Sequence, residues 1–155
     1  MMRNLFFALA ATFAVFSCQN NSEPKKMSGL ASALQDSTLI RVWPKEIDSL
    51  KRLDPNIPIV DVRTELEYRT SHIFRSINCS VKSADFDRRI VQLNRQAPVI
   101  VYDESSTVSL QAAERMKALG FVRVYELAGG IYSWARDGKA LVSGDSGIDS
   151  NLILK

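Results

Sequence analysis

The residues most able to do chemistry lie in one short stretch, Val101 to Ser109, which reads V-Y-D-E-S-S-T-V-S. Asp103 directly follows the apolar run Val99–Tyr102, and a helical pattern begins a few residues later. A strand that ends in a polar residue and passes into a helix sets that residue beside backbone N–H groups, which hold anions and activate nucleophiles. Asp103 is therefore either a nucleophile or a carboxylate that accepts hydrogen bonds from its own loop.

Few other side chains offer catalytic or metal-binding chemistry. The chain has two cysteines, Cys18 and Cys79, and one histidine, His72. Two cysteines cannot build a disulfide framework, and their spacing matches no zinc motif. We therefore expect no metal site and no cofactor. Cys79 is either a displaced sulfur carrier or a small packing residue without an activating base.

Strands alternate with helices along the middle of the chain. Apolar runs predict strands at 39–42, 57–62, 99–102 and 122–127, and a weaker one at 76–80. Periodicity and the C-cap residue Gly120 predict helices near 44–53, 84–93, 108–119 and 131–136, and a Thr64-x-x-Glu67 capping box predicts the start of a further short helix. This alternation predicts a mostly parallel sheet covered on both faces. Ligands of such sheets lie beyond the carboxyl ends of the strands, where Asp103 stands.

Several motifs follow one another in order between residues 38 and 142. They are Ile59-Val60-Asp61-Val62-Arg63, Ser71-His72-Ile73, Leu119-Gly120-Phe121 and Leu127-Ala128-Gly129-Gly130 with Trp134. Together they resemble the rhodanese homology domain, with its D-V-R, G-H-I and L-x-G-G-x-x-x-W motifs. The resemblance implies a three-layer α/β fold, a mostly parallel five-stranded sheet with helices on both faces. It also implies an Asp61–Arg63 ion pair that supports the active loop, and a structural role for His72.

The active loop of the resemblance departs from the family pattern. Rhodaneses resemble one another in a sulfur-accepting cysteine at this strand end, within C-x-x-G-x-R-S. Here Asp103 stands at the cysteine, Ser106 at the glycine and Val108 at the arginine, and Ser109 alone matches. The former active-site loop comprises Asp103, Glu104, Ser105, Ser106, Thr107, Val108 and Ser109. A carboxylate cannot form a persulfide, so we predict no catalytic residue here and an Asp103 side chain that fills the loop's anion-binding nest.

The first residues are typical of an export signal. The apolar run from Leu5 to Phe16 follows Arg3 and is shorter than the about 20 residues that a transmembrane helix needs. Val15-Phe16-Ser17-Cys18 resembles the lipobox of bacterial lipoproteins, which implies cleavage before Cys18 and a lipid on its sulfur. An ordinary secretory signal is the alternative. We expect a signal peptide at 1–17, a lipidated tether at 18–37, a rhodanese-like domain at 38–142 and a tail at 143–155.

Composition and charge narrow the functions further. A net charge of +3 without a basic block argues against nucleic-acid binding. We expect a monomer held in the bacterial envelope by the lipid on Cys18, at the outer membrane, with its domain in the periplasm or at the cell surface. Three functions stay open: a non-catalytic module that binds an unknown protein partner, an enzyme with altered chemistry through Cys79 or Asp103, and a structural lipoprotein.

Overall fold

The computed structural model describes residues 39–144. The predicted signal peptide, Cys18, the tether and the tail beyond residue 144 lie outside these residues. The elements follow in the order β1 (Leu39–Val42), α1 (Pro44–Leu53), β2 (Ile59–Asp61), α2 (Glu65–Thr70), β3 (His72–Ile73), β4 (Ser76–Asn78), α3 (Phe86–Ile90), β5 (Val99–Tyr102), α4 (Val108–Ala118), β6 (Val124–Leu127), α5 (Gly130–Arg136) and β7 (Leu141–Val142).

Five strands form one sheet in the order β1-β6-β5-β2-β4, and every neighbouring pair in it is parallel. The prediction of a mostly parallel five-stranded sheet is confirmed. A second sheet pairs β3 with β7 in the antiparallel sense. The sequence did not predict this ribbon, because its strands have two residues each and show no measurable alternation.

A hydrophobic core lies on each face of the large sheet. Successive side chains of β5 point to opposite faces, so Val99 and Val101 join the core under α3 and α4. Ile100 and Tyr102 join the core under α1 and α5, which also buries Trp134. The predicted three layers, with helices on both faces of the sheet, are confirmed.

The helix and strand ends differ from the predicted bounds by a few residues. β2 begins at Ile59 because Pro58 has no N–H for the ladder, although its carbonyl accepts the Ile100 N–H at 2.9 Å. α3 spans only Phe86–Ile90, shorter than the predicted 84–93. The predicted Thr64 capping box is present at α2, and Gly120 follows α4 with a φ of +90°. Within residues 39–144, no helix combines the length and apolar character that crossing a membrane requires.

Candidate functional site

The Asp103 carboxylate lies among backbone N–H groups at the start of α4. Its Oδ1 accepts hydrogen bonds from the N–H groups of Ser105 and Ser106, at 3.0 and 2.5 Å. Its Oδ2 accepts one from the Val108 N–H, at 2.6 Å. Asp103 is 2% exposed, so these donors replace the water that a buried carboxylate loses. The hydrogen bonds predicted between this side chain and its own loop are present.

A second buried carboxylate, Glu126 on β6, lies behind Asp103. The Ser109 hydroxyl oxygen is 2.8 Å from Glu126 Oε1 and 3.2 Å from Asp103 Oδ1. A hydroxyl has one proton, so Ser109 can donate to only one of the two carboxylates at a time. Glu126 Oε2 accepts from the Nε–H of Arg41 at 3.0 Å, and the Arg41 side chain is largely exposed. A polar chain therefore runs from the loop to the edge strand β1.

Ser106 holds the loop in a left-handed conformation. Its φ is +83°, a region that favours glycine. Its hydroxyl donates to the Leu127 carbonyl at 3.1 Å and accepts the Gly129 N–H at 2.6 Å. Leu127 ends β6 and Gly129 precedes α5. The Ser106 side chain therefore ties the β5–α4 loop to the β6–α5 turn.

The β6–α5 turn lies directly against the loop. The Ile131 N–H donates to the Asp103 carbonyl at 2.9 Å. A Cβ placed on Gly130 would be 2.4 Å from the Asp103 carbonyl oxygen and 2.5 Å from the Glu104 carbonyl carbon. Only glycine permits such an approach of two backbones. The second glycine of the L-x-G-G motif, Gly130, is thus required by the loop that it supports.

Arg63 faces the loop from the end of β2, with its charge balanced by Asp61. Its Nε is 3.0 Å from Asp61 Oδ1, and its Nη2 is 2.6 Å from Oδ2. Nη2 also donates to the Ser71 carbonyl at 2.6 Å. Asp61 and Arg63 are both buried. The predicted ion pair is confirmed, and it directs most of the guanidinium donors inward rather than toward a ligand.

Tyr102 and His72 are buried residues that hold neighbouring segments of the chain together. The Tyr102 hydroxyl accepts the Ile73 N–H at 3.1 Å and lies 3.0 Å from the Ser76 hydroxyl. Burial raises the pKa of Tyr102 well above its usual range, so the hydroxyl stays neutral. His72 is fully buried, stacks on Tyr68 at 3.9 Å, and places Nδ1 2.9 Å from the Tyr68 carbonyl oxygen. It has the contacts of a structural residue.

Cys79 lies away from the loop. It is 0% exposed within the core under α3 and α4, and its Sγ is 3.9 Å from the Phe86 carbonyl oxygen. Burial raises the pKa of the thiol to about 11. A buried, protonated thiol is a poor nucleophile at neutral pH.

A cavity of about 280 Å³ opens above the loop. It is lined by Val62, Arg63, Thr64, Glu67, Lys82, Asp103, Glu104, Ser105, Thr107 and Val108. A groove of about 310 Å³ continues from it past Leu66, Ile131 and Tyr132. We call the cavity and groove together the mouth. At its rim the Tyr132 hydroxyl donates to Glu104 Oε1 at 2.6 Å, and this hydrogen bond raises the pKa of Tyr132.

The model of the rhodanese-like domain family matches residues 44–137, most of the described chain. The chain belongs to the rhodanese-like domain family. The resemblance inferred from the sequence motifs is confirmed. Asp103 and its loop, Asp61, Arg63 and His72 all fall inside the matched rhodanese-like region, and Cys18 falls outside it.

Two relatives illustrate what this rhodanese-like domain is similar to. The thiosulfate sulfurtransferase GlpE of Coxiella burnetii is 30% identical over 79 residues, which cover 51% of this chain and 72% of that protein. The uncharacterized protein YibN of Escherichia coli K12 is 30% identical over 89 residues, 56% of this chain. The matched part spans only 61% of the length of YibN.

Solved structures share the fold of this rhodanese-like domain. The solution structure of the rhodanese-like domain of the Anabaena Alr3790 protein has a TM-score of 0.60 at 26% identity, covering 66% of this chain and 78% of that one. The BH2092 protein of Bacillus halodurans also has a TM-score of 0.60, at 23% identity, covering 77% and 85%. At 23% identity, the likeness to BH2092 shows the fold alone.

Sequence reasoning missed three residues of this rhodanese-like site: Arg41, Glu126 and Tyr132. Glu126 had a signal, because it stands inside the apolar run V-Y-E-L on the same face as the core residue Val124. A carboxylate at such a position must find partners when it is buried. Arg41 and Tyr132 carry no such signal, because their relevance depends on neighbours distant in sequence.

Proposed function

We propose that the protein is an exported, membrane-anchored rhodanese-like module that binds a partner at the mouth and transfers no sulfur. The proposal rests on one observation: the Asp103 carboxylate accepts hydrogen bonds from the loop N–H groups that would otherwise face an anion. An anionic substrate at this nest would have to displace a carboxylate that is covalently part of the chain.

The alignment of the loop with C-x-x-G-x-R-S supports the loss of the sulfur-accepting cysteine. Ser106 aligns with the glycine of that pattern, and its φ of +83° is one that glycine adopts readily. With this position in register, Asp103 aligns with the cysteine and Val108 with the arginine. The carboxylate has no sulfur to carry, and Val108 supplies no cation for a thiosulfate dianion.

The alternative of sulfur transfer through Cys79 finds little support in its surroundings. The thiol is buried, its pKa is raised to about 11, and it does not line the mouth. Among residues 39–144 the only thiol is this buried one, so we do not propose for this chain the activity that names the Coxiella relative.

Binding at the mouth is supported by what its rim exposes. Leu66 is 77% exposed and Tyr132 60%, and both line the groove beside Glu104 and Glu67. Exposed apolar side chains rimmed by polar groups are typical of surfaces that bind partners. The rim carboxylates favour a partner with cationic side chains. A purely structural lipoprotein would need none of these features.

Export and anchoring rest on the N-terminal residues. The apolar run at 5–16 and the lipobox-like Val15-Phe16-Ser17-Cys18 support cleavage before Cys18 and lipid attachment. Cys18 is followed by Gln19 and not by Asp, which favours the outer membrane. The domain would then lie in the periplasm or at the cell surface. Radiolabelled fatty acid should enter the wild-type protein and not Cys18→Ala, and equal labelling of both would show that Cys18 is not the lipid site.

Sulfur transfer is tested with the full-length protein in detergent. We expect no thiosulfate:cyanide sulfurtransferase activity above buffer from the wild type or from Cys79→Ser. Intact mass after incubation with a persulfide donor should show no added sulfur on Cys79. Activity that is present in the wild type and absent from Cys79→Ser would overturn the proposal in favour of the enzymatic alternative.

Partner binding is tested by capture from envelope extracts with matched variants. A partner of the mouth should be retained by the wild type and by Leu53→Ser, and lost from Leu66→Ser and from Glu104→Gln. Leu53 is a suitable control because it is 85% exposed but does not line the mouth. Equal capture by all four proteins would show that the partner binds away from the mouth, and capture by none would favour a structural lipoprotein.

A further inference from the structure

The edge of the sheet opposite the mouth is basic. Since its five strands are parallel, the residues that precede them share one edge. Arg75 directly precedes β4 and Arg123 directly precedes β6. Arg95 lies beside Arg123, because its carbonyl accepts the N–H of the preceding residue, Val122, at 3.0 Å. Its Nη1 donates to the Leu119 carbonyl at 2.9 Å. We define the basic edge as Lys51, Arg52, Arg75, Arg95 and Arg123.

Two charges of the basic edge, those of Lys51 and Arg75, are close enough to act on one another. Lys51 and Arg75 line the same small pocket, and burial together with the charge of Arg75 lowers the pKa of Lys51. Asp54 is an acidic side chain in this region, and its Oδ1 accepts the Asn56 N–H at 2.9 Å. The charge of Asp48 also acts on Lys51 and opposes the lowering of its pKa. The mouth, by contrast, presents the carboxylates of Glu67 and Glu104 at its rim.

Apolar side chains project between these cations. Leu53 at the end of α1 is 85% exposed, Phe74 before β4 is 53% exposed, and Val122 before β6 is 45% exposed. Exposed apolar residues interspersed with Lys and Arg suit the interface of an anionic bilayer, where the apolar groups insert and the cations meet lipid phosphates.

The N-terminal segment joins the domain at this same edge. β1 begins at Leu39 and pairs in parallel with β6 from Val124, so the first residue of β1 lies beside the basic edge. The preceding chain carries the apolar run at 5–16 and Cys18. From these positions we infer that the basic edge docks on an anionic phospholipid surface and turns the mouth away from the membrane. The inference rests on the membrane anchoring proposed above.

The experiment places a polarity-sensitive fluorophore on either edge of the full-length protein. Leu53→Cys labels the basic edge and Leu66→Cys labels the mouth, each in the lipidated protein, in which the Cys18 sulfur carries the lipid and cannot take the fluorophore. Both positions are highly exposed, at 85% and 77%, and the native Cys79 is buried. The lipid on Cys18 holds the protein on vesicles. The probes are compared on vesicles of phosphatidylcholine with phosphatidylglycerol and of phosphatidylcholine alone.

We expect a blue shift of the Leu53→Cys probe on the vesicles that contain phosphatidylglycerol, a loss of that shift at high salt, and no shift of the Leu66→Cys probe. The double variant Arg75→Gln/Arg123→Gln should lower the ratio of docked to undocked protein by about 25-fold, since each cation near an anionic surface contributes about fivefold.

The outcomes separate the inference from the anchoring. Protein that fails to sediment with any vesicle contradicts both. Protein that sediments with vesicles while the two probes respond alike contradicts edge docking and leaves anchoring intact. If an oligonucleotide shifted the emission of the Leu53→Cys probe and phosphatidylglycerol did not, the basic edge would be a nucleic-acid surface and the inference would be overturned.

Discussion

At the scale of single residues, position 103 shows how a carboxylate substitutes for a bound anion. Its two oxygens use three backbone N–H donors, and the hydroxyl of Ser109 lies within reach of the same carboxylate. The donors belong to the loop and not to the side chain, so they persist when the side chain is removed. The loop N–H groups can therefore be tested for anion binding after the Asp103 carboxylate is removed.

Asp103→Ala should convert the loop into an anion-binding site. The variant leaves the N–H groups of Ser105, Ser106 and Val108 without their acceptor and should lose about 1–3 kcal/mol of unfolding free energy. Sulfate should recover part of that loss in a thermal melt, whereas chloride at the same ionic strength should not. Glu104→Ala, at an exposed position, is the control and should show no sulfate response. A wild type stabilised by sulfate as strongly as Asp103→Ala would refute a filled nest.

Cys79 should make the stability fall in alkali. Burial raises its pKa from about 9 in the unfolded chain to about 11 in the folded protein. Its stabilising contribution is therefore complete below pH 9 and is lost as the pH rises toward 11, with a slope of at most about 1.4 kcal/mol per pH unit. Urea unfolding of the wild type and of Cys79→Ala at several pH values measures the difference. Parallel curves for the two proteins would contradict the raised pKa.

At the scale of elements, the site is built by two connections that brace one another. The β5–α4 loop supplies the N–H groups that bind the Asp103 carboxylate. The β6–α5 turn hydrogen-bonds to the Ser106 hydroxyl of this loop, and the Ile131 N–H of α5 donates to the Asp103 carbonyl. The first connection contains a strained residue, because Ser106 is not a glycine and has a positive φ, and the contacts of its hydroxyl with the second connection help to hold it in this conformation. The contact between them leaves no room for a side chain at Gly130.

Gly130→Ala should be much more destabilising than Gly138→Ala. Both glycines have positive φ, at +55° and +74°, so alanine at either site costs about 1–2 kcal/mol of backbone strain. A Cβ at Gly138 meets nothing within 4 Å, whereas one at Gly130 overlaps the loop backbone. The overlap should add about 1–3 kcal/mol. Urea midpoints of the two variants provide the measurement, and equal losses would show that the two connections can move apart.

At the scale of the whole molecule, the two faces of the large sheet line two separate hydrophobic cores. Adjacent residues of β5 contribute to opposite faces, so neither core can lose its strands without exposing the other. The sheet also separates two kinds of surface, a mouth of mixed charge at its carboxyl edge and a basic edge at its amino end.

The two cores should unfold together. Trp134 reports on the core under α1 and α5, and the thiol of Cys79 reports on the core under α3 and α4. In a Cys18→Ala/Trp43→Phe background, Trp134 fluorescence and Cys79 labelling by a thiol reagent should share one urea midpoint. Two separate midpoints would show that the layers unfold independently.

The sequence by itself determined the fold class, the family and the loop. Local signals sufficed there: apolar runs, a capping box, a C-cap glycine, and motifs whose order is a property of the chain. It also predicted the hydrogen bonds of Asp103, because a carboxylate two to five residues before N–H groups at a helix start can reach them within one loop.

Tertiary structure alone decided the rest. Glu126 approaches Ser109 only because β6 lies next to β5 in the sheet. Tyr132 meets Glu104 only because Gly130 lets two backbones touch. The basic edge exists only because every strand of the large sheet runs in the same direction. These contacts join residues distant along the chain, and a sequence pattern records spacing along the chain and not proximity across the fold.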